Sequence, residues 1–417
     1  MTQILGELTP DGRLLFGTRV LRLFAYGLLS IVLVLYLTRA GLSKREAGAL
    51  ISATLAGDIV VSLLITTRAD RIGRRRMLLL GAGLMAAAGV VFATTTWLPL
   101  LFVAAFAGII SPSGNEIGPF LSIEQASLSQ TVHDRKRTSV FAWYALLGSF
   151  ATAIGALCGG GLAQLMQSAG ASPLESYRVL VWVYAGLGLV LGLMFLRVSP
   201  AVEVEPAEAE RVQARRGMLG LHKSRGVVLR LSMLFSLDAF AGGFVVQAIV
   251  AYWFHVRFGV PDAVLGGIFF GANVLSGFSA LAAARIADRI GLINTMVFTH
   301  IPSNVLLILV PLMPNLPLAI AMLLLRFAIS QMDVPTRHSY TMAVVDPDER
   351  SAASGVTSVA RSVGAAVSPS LAGLMIAAPA LLSVPFFVSG GLKIIYDLLL
   401  YRSFRSHKTQ DEGQSFT

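Results

Sequence analysis

The chain has 417 residues, yet only 13% are charged and 55% are hydrophobic, with a mean hydropathy of +0.72. Soluble domains carry roughly 25% charged residues, so a large water-soluble core is excluded. The net charge of +10 invites nucleic acid as a partner, but the placement of the basic residues argues against one.

Apolar stretches near the length that crosses hydrocarbon, about 20 residues, recur twelve times: 14–38, 46–67, 76–96, 98–128, 138–166, 177–197, 228–255, 262–285, 292–313, 317–344, 351–377 and 382–402. The residues before the first stretch include Arg13, Glu7 and Asp11, and no small-residue cleavage site follows it. It therefore reads as a retained helix, not a signal peptide. Between the sixth and seventh stretches, 198–227 is acidic in PAVEVEPAEAE and basic in RVQARR, as a linker on the membrane surface would be. The expected division is a six-helix bundle over 1–197, a cytoplasmic linker over 198–227 and a second six-helix bundle over 228–417. Cys158 is the only cysteine, so no intramolecular disulfide can form.

With odd-numbered spans running outward, the outer segments hold Arg39, Lys44, Arg45, Arg178 and Arg257. The spans hold Arg19, Arg22, Arg326, Arg337, Arg361 and Lys393, and every other Lys and Arg falls on the opposite side. Positive loops stay in the cytoplasm, which puts both termini there. The basic balance is topological, with the lipid bilayer as partner and no nucleic acid.

DRIG occurs at Asp70–Gly73 and again at Asp288–Gly291, 218 residues on. Gly41 and Gly259, Gly48 and Gly266, and Leu98-Pro99-Leu100 and Leu316-Pro317-Leu318 keep that spacing. Later pairs, Arg137 and Arg350 or Gly160 and Gly373, are 213 apart. A duplication at this scale gives two halves of six spans. The five-residue change falls in the fourth span, within SPSGNEIGPFLSIEQASLSQ (111–130). Either the helix runs on into a long loop, or Pro112, Gly114 and Pro119 break it beside a polar cavity, where irregular backbone is tolerated at membrane depth.

RADRIGRRR (68–76) resembles the loop signature of the major facilitator superfamily, with Asp70, Arg71, Gly73, Arg74 and Arg75 matching and Thr66 in place of the leading glycine. ARIADRIGLIN (284–294) keeps Asp288, Arg289 and Gly291. The resemblance implies an all-α membrane protein of twelve transmembrane helices in two pseudo-symmetric bundles, and a secondary transporter whose site is lined by spans 1, 4, 7 and 10. It also makes the DRIG residues a cytoplasmic latch between states, where the plainer role of these arginines is topological. The Gly155-Ala156-Leu157-Cys158-Gly159-Gly160 run is similar to the fifth-span motif of the drug:proton antiporter branch, but Ala156 replaces its proline. The fourth-span arginine of many proton-coupled members is missing, and Arg326 on span 10 stands as its counterpart.

Ionisable residues inside spans are functional candidates because they are costly unless paired or hydrated. Equal depth suggests an Arg22–Asp58 pair, and another between Asp238 and Arg361. Asp333 and Arg337 are one turn apart on one helix. Arg19, near a helix end, is expected to snorkel. Glu116 has no sequence-local partner and, with Asp58, is the candidate for proton coupling. Tyr26, Asn115, Gln247 and Gln331 add polar contacts to a cavity with Arg22, Glu116, Asp238, Arg326 and Asp333. His338 reads as a hydrated helix-end histidine, and Trp143 and Tyr144 as interfacial anchors. At the 213 spacing Glu124 matches Arg337, which suggests a cytoplasmic gate between them.

The leading expectation is proton-coupled export of a small organic compound by a monomer in a bacterial inner membrane. Uptake of an organic anion with protons is the alternative, motivated by Arg22, Arg326, Arg337 and Arg361. The chain has no H-E-x-x-H, G-x-S-x-G or nucleotide-binding loop, so neither enzyme activity nor a cofactor is expected.

Overall fold

The computed structural model describes residues 8–116, 118–131, 134–203, 223–346 and 349–405. Most of the expected linker, residues 204–222, lies outside them. The described residues are helical, without strands. The helices are α1 (Pro10–Arg39), α2 (Lys44–Ile72), α3 (Arg74–Thr94), α4 (Leu98–Ala107), α5 (Phe120–Thr131), α6 (Asp134–Ser168) and α7 (Pro173–Phe195), followed by α8 (Arg225–Gly243), α9 (Gln247–Phe258), α10 (Asp262–Ile290), α11 (Leu292–Leu309), α12 (Leu316–Ile329), α13 (Asp333–Ala343), α14 (Arg350–Ala377) and α15 (Val384–Phe404). Among the described residues, eleven segments are long and apolar enough to cross a membrane. The expected fourth span is the exception, its apolar part being the ten residues Leu98–Ala107.

Helix ends follow local chemistry. Thr9 caps α1, its Oγ1 accepting from the Gly12 N–H at 3.1 Å, with Pro10 in the first turn. Ser43 and Glu46 form a reciprocal capping box on α2. That helix stops at Gly73, whose φ of 114° suits glycine. Val103, Leu165 and Met233 are each more than 60% exposed, as side chains that meet lipid in a membrane-spanning helix would be.

The fourth span is broken. Backbone between α4 and α5 is non-helical, with Gly114 at φ 71° and Gly118 at φ 83°. Its polar groups are taken up by neighbouring helices. Thr152 Oγ1 donates to the Gly114 carbonyl (3.1 Å), the Gly118 N–H donates to Asp58 Oδ1 (2.6 Å), and the Pro112 carbonyl accepts from the Ala248 N–H (3.0 Å). The Tyr184 hydroxyl donates to the Ile109 carbonyl. Buried irregular backbone is stable only when satisfied in this way. The spans at α8–α9 and α12–α13 are also interrupted, at Phe244–Val246 and Ser330–Met332.

The chain divides into two compact units, residues 1–215 with 246–273, and 216–245 with 274–417. In the first unit α1 packs on α6, and α3 on α7; in the second, α8 packs on α14, and α11 on α15. Lipid is as apolar as leucine, so close packing and hydrogen bonds, not burial from water, hold such helices. Glycine provides the approach: a Cβ on Gly27 would meet the Thr152 carbonyl oxygen at 2.1 Å, and one on Gly155 would meet the Phe24 oxygen at 2.0 Å. In the second unit a Cβ on Gly243 would lie 2.8 Å from the Ala365 oxygen. Gly27 and Gly243 are 216 residues apart, Thr152 and Ala365 are 213 apart, and so one crossing recurs in each unit.

Candidate functional site

Each unit carries a buried charge cluster. In the first, Arg19 and Arg22 sit one turn apart on α1 and meet two carboxylates from the broken span. Arg22 Nη1 and Nη2 each donate to one oxygen of Glu124 at 2.8 Å, and its Nε donates to Glu116 Oε1 at 2.8 Å. Arg19 Nη1 donates to Glu116 Oε2, also at 2.8 Å. Glu124 further accepts from Thr18 Oγ1 (2.8 Å) and the Tyr144 hydroxyl. Arg22 and Glu124 are fully buried, whereas the Glu116 side chain keeps 12% of its surface exposed. Aromatic faces complete the cage: Phe120 lies 4.5 Å from the Arg22 guanidinium and Tyr144 lies 4.3 Å from that of Arg19. Two cations and two anions balance, and the bidentate geometry fixes Arg22 in one orientation.

Several expectations are corrected by this geometry. Arg22 is paired with Glu116 and Glu124, not with Asp58, because the break turns both glutamates toward α1. Asp58 instead accepts from the Gly118 N–H and from Ser62 Oγ (2.9 Å), and it forms no ion pair among the described residues. Arg19 does not snorkel; Glu116 holds it inside. Tyr144, expected as an interfacial anchor, is buried against Arg19 and Glu124. The expected Glu124–Arg337 gate is a separate matter and stays a proposal: within its own unit Glu124 is held by Arg22, Thr18 and Tyr144, and Arg337 by Asp238 and Asp333.

In the second unit Asp238 on α8 is the hub. Its Oδ2 accepts from Arg337 Nη1 and Arg361 Nη1, each at 3.2 Å, and its Oδ1 accepts from Lys393 Nζ at 2.5 Å. Arg337 also pairs with Asp333 at 3.0 Å. The expected Asp238–Arg361 and Asp333–Arg337 pairs are therefore present. Sequence reasoning missed the layer behind them: His300 Nδ1 is 2.8 Å from Asp397 Oδ1, Asn304 Nδ2 donates to Asp397 Oδ2 at 3.0 Å, and His300 Nε2 is 3.9 Å from Asp238. The available signal was polar pairs four residues apart, His300 with Asn304 and Lys393 with Asp397, on otherwise apolar spans.

Other candidates are placed as follows. Tyr26 is fully buried on α1, and Asn115 is exposed at the break. Gln247 Nε2 donates to Ser30 Oγ (2.8 Å), and Gln247 Oε1 accepts from Asn273 (3.2 Å). The Gln331 backbone N–H donates to Ser279 Oγ (3.2 Å) at the α12–α13 break. The Arg326 guanidinium lies over the Phe327 ring at 4.9 Å. In the first DRIG loop Arg74 Nε donates to Asp70 Oδ1 (2.9 Å), while Arg71 is exposed. The N–H groups of Arg74 and Arg75 donate to the Glu203 carboxylate at 2.6 and 3.1 Å, a partner the sequence pattern did not single out. Asp288 and Arg289 are exposed at the end of α10, before Gly291 at φ 82°.

The family model of the Major Facilitator Superfamily matches residues 15–369, and the chain belongs to that superfamily. It is 30% identical to the uncharacterized membrane protein YJR124C of Saccharomyces cerevisiae, over 94% of this chain and 93% of that protein. Its fold is similar to a bacterial homologue of the human lysosomal transporter Spinster in an inward-facing, occupied conformation, with a TM-score of 0.74 and 14% identity over 95% of this chain and 96% of that one. It is also similar to a D-xylose-proton symporter, with a TM-score of 0.69 and 15% identity over 94% of this chain and 97% of that one. The chain is thus a multi-pass membrane protein with the fold of a transporter, and it is not an enzyme.

Proposed function

We propose that the protein is a proton-coupled secondary transporter working by alternating access, exporting a small organic compound, with both termini in the cytoplasm. The observation that supports coupling is the pair of carboxylates at the break in span 4. Asp58 accepts from the Gly118 N–H and forms no ion pair among the described residues, and Glu116, two residues before Gly118, holds Arg19 and Arg22. A proton taken up at either site weakens one side of the break, which ties protonation to backbone geometry in a helix expected to line the transport path. The fifth-span glycines Gly155 and Gly159, tight against α1, support the antiporter direction.

A second reading, inward transport of an organic anion with protons, is supported by the number of cations in the second unit. The test is transport in proteoliposomes with an imposed pH gradient. Accumulation on the side the protons leave supports antiport, accumulation on the side they enter supports symport, and indifference to the gradient removes proton coupling from both.

A further inference from the structure

The second unit holds more intramembrane cations than carboxylates. Arg326, Arg337, Arg361 and Lys393 face Asp238, Asp333 and Asp397, and Arg326 has no ion-pair partner among the described residues. Asp238 is shared three ways. Arg361 reaches it with a single 3.2 Å bond to an oxygen that Arg337 already uses, and its side chain stays 32% exposed. A guanidinium has five N–H donors, so most of those on Arg361 are directed elsewhere.

Arg361 lines a small open cleft within this unit, and none of the cleft's described lining residues is a carboxylate. Ser354, Ser358 and Arg361 are four and three residues apart on α14, one stripe of a helix, and all three line the cleft. The hydroxyls of Thr341 and Thr357, also on the wall, are spent on backbone carbonyls at 2.9 and 2.8 Å. Those of Ser354 and Ser358 make no side-chain bond among the described residues, which leaves two hydroxyl donors beside a cation. His338 adds a titratable donor from α13, and Phe235 with Met342 supplies an apolar wall.

We propose that this cleft binds the anionic group of a small organic substrate, a carboxylate or a phosphate ester, with Arg361 as the charged contact, Ser354 and Ser358 as neutral donors, and the apolar part of the molecule against Phe235. The proposal rests on the transporter reading and names its substrate class. A charge-assisted contact in a partly dehydrated cleft selects strongly for the ionised form, and a bound anion offsets the excess cation.

The experiment is thermal stabilisation of the purified protein, titrated with benzoate, phenyl phosphate, inorganic phosphate and the neutral benzamide at constant ionic strength. Binding to the folded state raises the unfolding midpoint. At least one of benzoate and phenyl phosphate stabilises the wild type, benzamide does not, and Arg361→Gln weakens that binding by about tenfold or more. Should Arg361→Gln fold poorly, the Ser354→Ala/Ser358→Ala pair carries the test, with a severalfold loss expected. Equal stabilisation by benzamide, no stabilisation by either organic anion, or wild-type affinity in both sets of variants overturns the site. Inorganic phosphate binding as tightly as phenyl phosphate overturns the organic substrate. Binding is measured without a gradient and with Glu116 intact, so loss of proton coupling in vesicles leaves this result standing, and the reverse also holds.

Discussion

Glu124 closes on Arg22 with one 2.8 Å hydrogen bond to each terminal nitrogen, both side chains fully buried, and Glu116 takes the remaining Nε donor. Losing one partner of such a pair strands a charge in a medium that cannot solvate it, at a cost of about 3–5 kcal/mol. Glu124→Gln therefore lowers the thermal midpoint strongly. Arg22→Met/Glu124→Leu recovers much of the loss, because the two effects are not additive for residues in contact. A double variant as unstable as the sum of the singles contradicts the pairing.

Asp238 has a larger role, since three cations converge on it. Asp238→Asn leaves Lys393, Arg361 and Arg337 crowded around a neutral group, and a loss of at least about 3 kcal/mol is expected. Adding Lys393→Met relieves part of it. The check is the unfolding midpoint of the two variants in the same detergent; no relief from the second change counts against the hub.

Glu116 differs from Glu124 in keeping contact with solvent. Glu116→Gln retains the fold but cannot cycle a proton, so pH-driven accumulation is abolished while substrate exchange without a gradient survives in part. A variant that transports at the wild-type rate with unchanged pH dependence assigns Glu116 a structural role only.

Gly155→Val places three carbons where the Phe24 carbonyl of α1 already stands. Overpacking costs about 1–3 kcal/mol in a core that can relax, and more where backbone opposes backbone. The expected result is low yield of monodisperse protein. Gly161, which has open space beside it, tolerates the same substitution, and equal yields for the two would count against the close crossing.

Glu203 accepts from the backbone N–H groups of Arg74 and Arg75 at the start of α3, where a helix carries partial positive charge. Replacing it with Gln removes about 1 kcal/mol of cap and dipole stabilisation. Amide exchange at Arg74 and Arg75 then accelerates while exchange in the middle of α3 does not. Uniform acceleration along α3 speaks against a local cap.

Much of this was legible in the sequence. Hydropathy gave the spans, and the shift in repeat spacing from 218 to 213 located the break in span 4. Depth along the helices was enough for Asp238–Arg361, and helical period for Asp333–Arg337. Depth failed for Arg22, because the rule assumes straight helices and both of its partners lie at or beyond the break. The His300–Asp397 layer was hidden for another reason: the two residues are 97 positions apart on helices that pattern alone does not bring together. The interruptions near Gly243 and Ser330 are short enough to vanish in a hydropathy profile.

The repeated crossing of Gly27 on Thr152 and of Gly243 on Ala365 puts the two units in one register, and in that register Arg22 corresponds to Asp238 and Glu124 to Arg337. The same two helix positions thus carry an ion pair of opposite polarity in each half. No single substitution converts one arrangement into the other without setting two like charges face to face inside the membrane. If both halves descend from one ancestral segment, their divergence must have gone through an uncharged pair or a compensated double change. It follows that grafting either α1 or α5 alone from one half into the other yields a chain that does not fold, whereas exchanging both together preserves the pair.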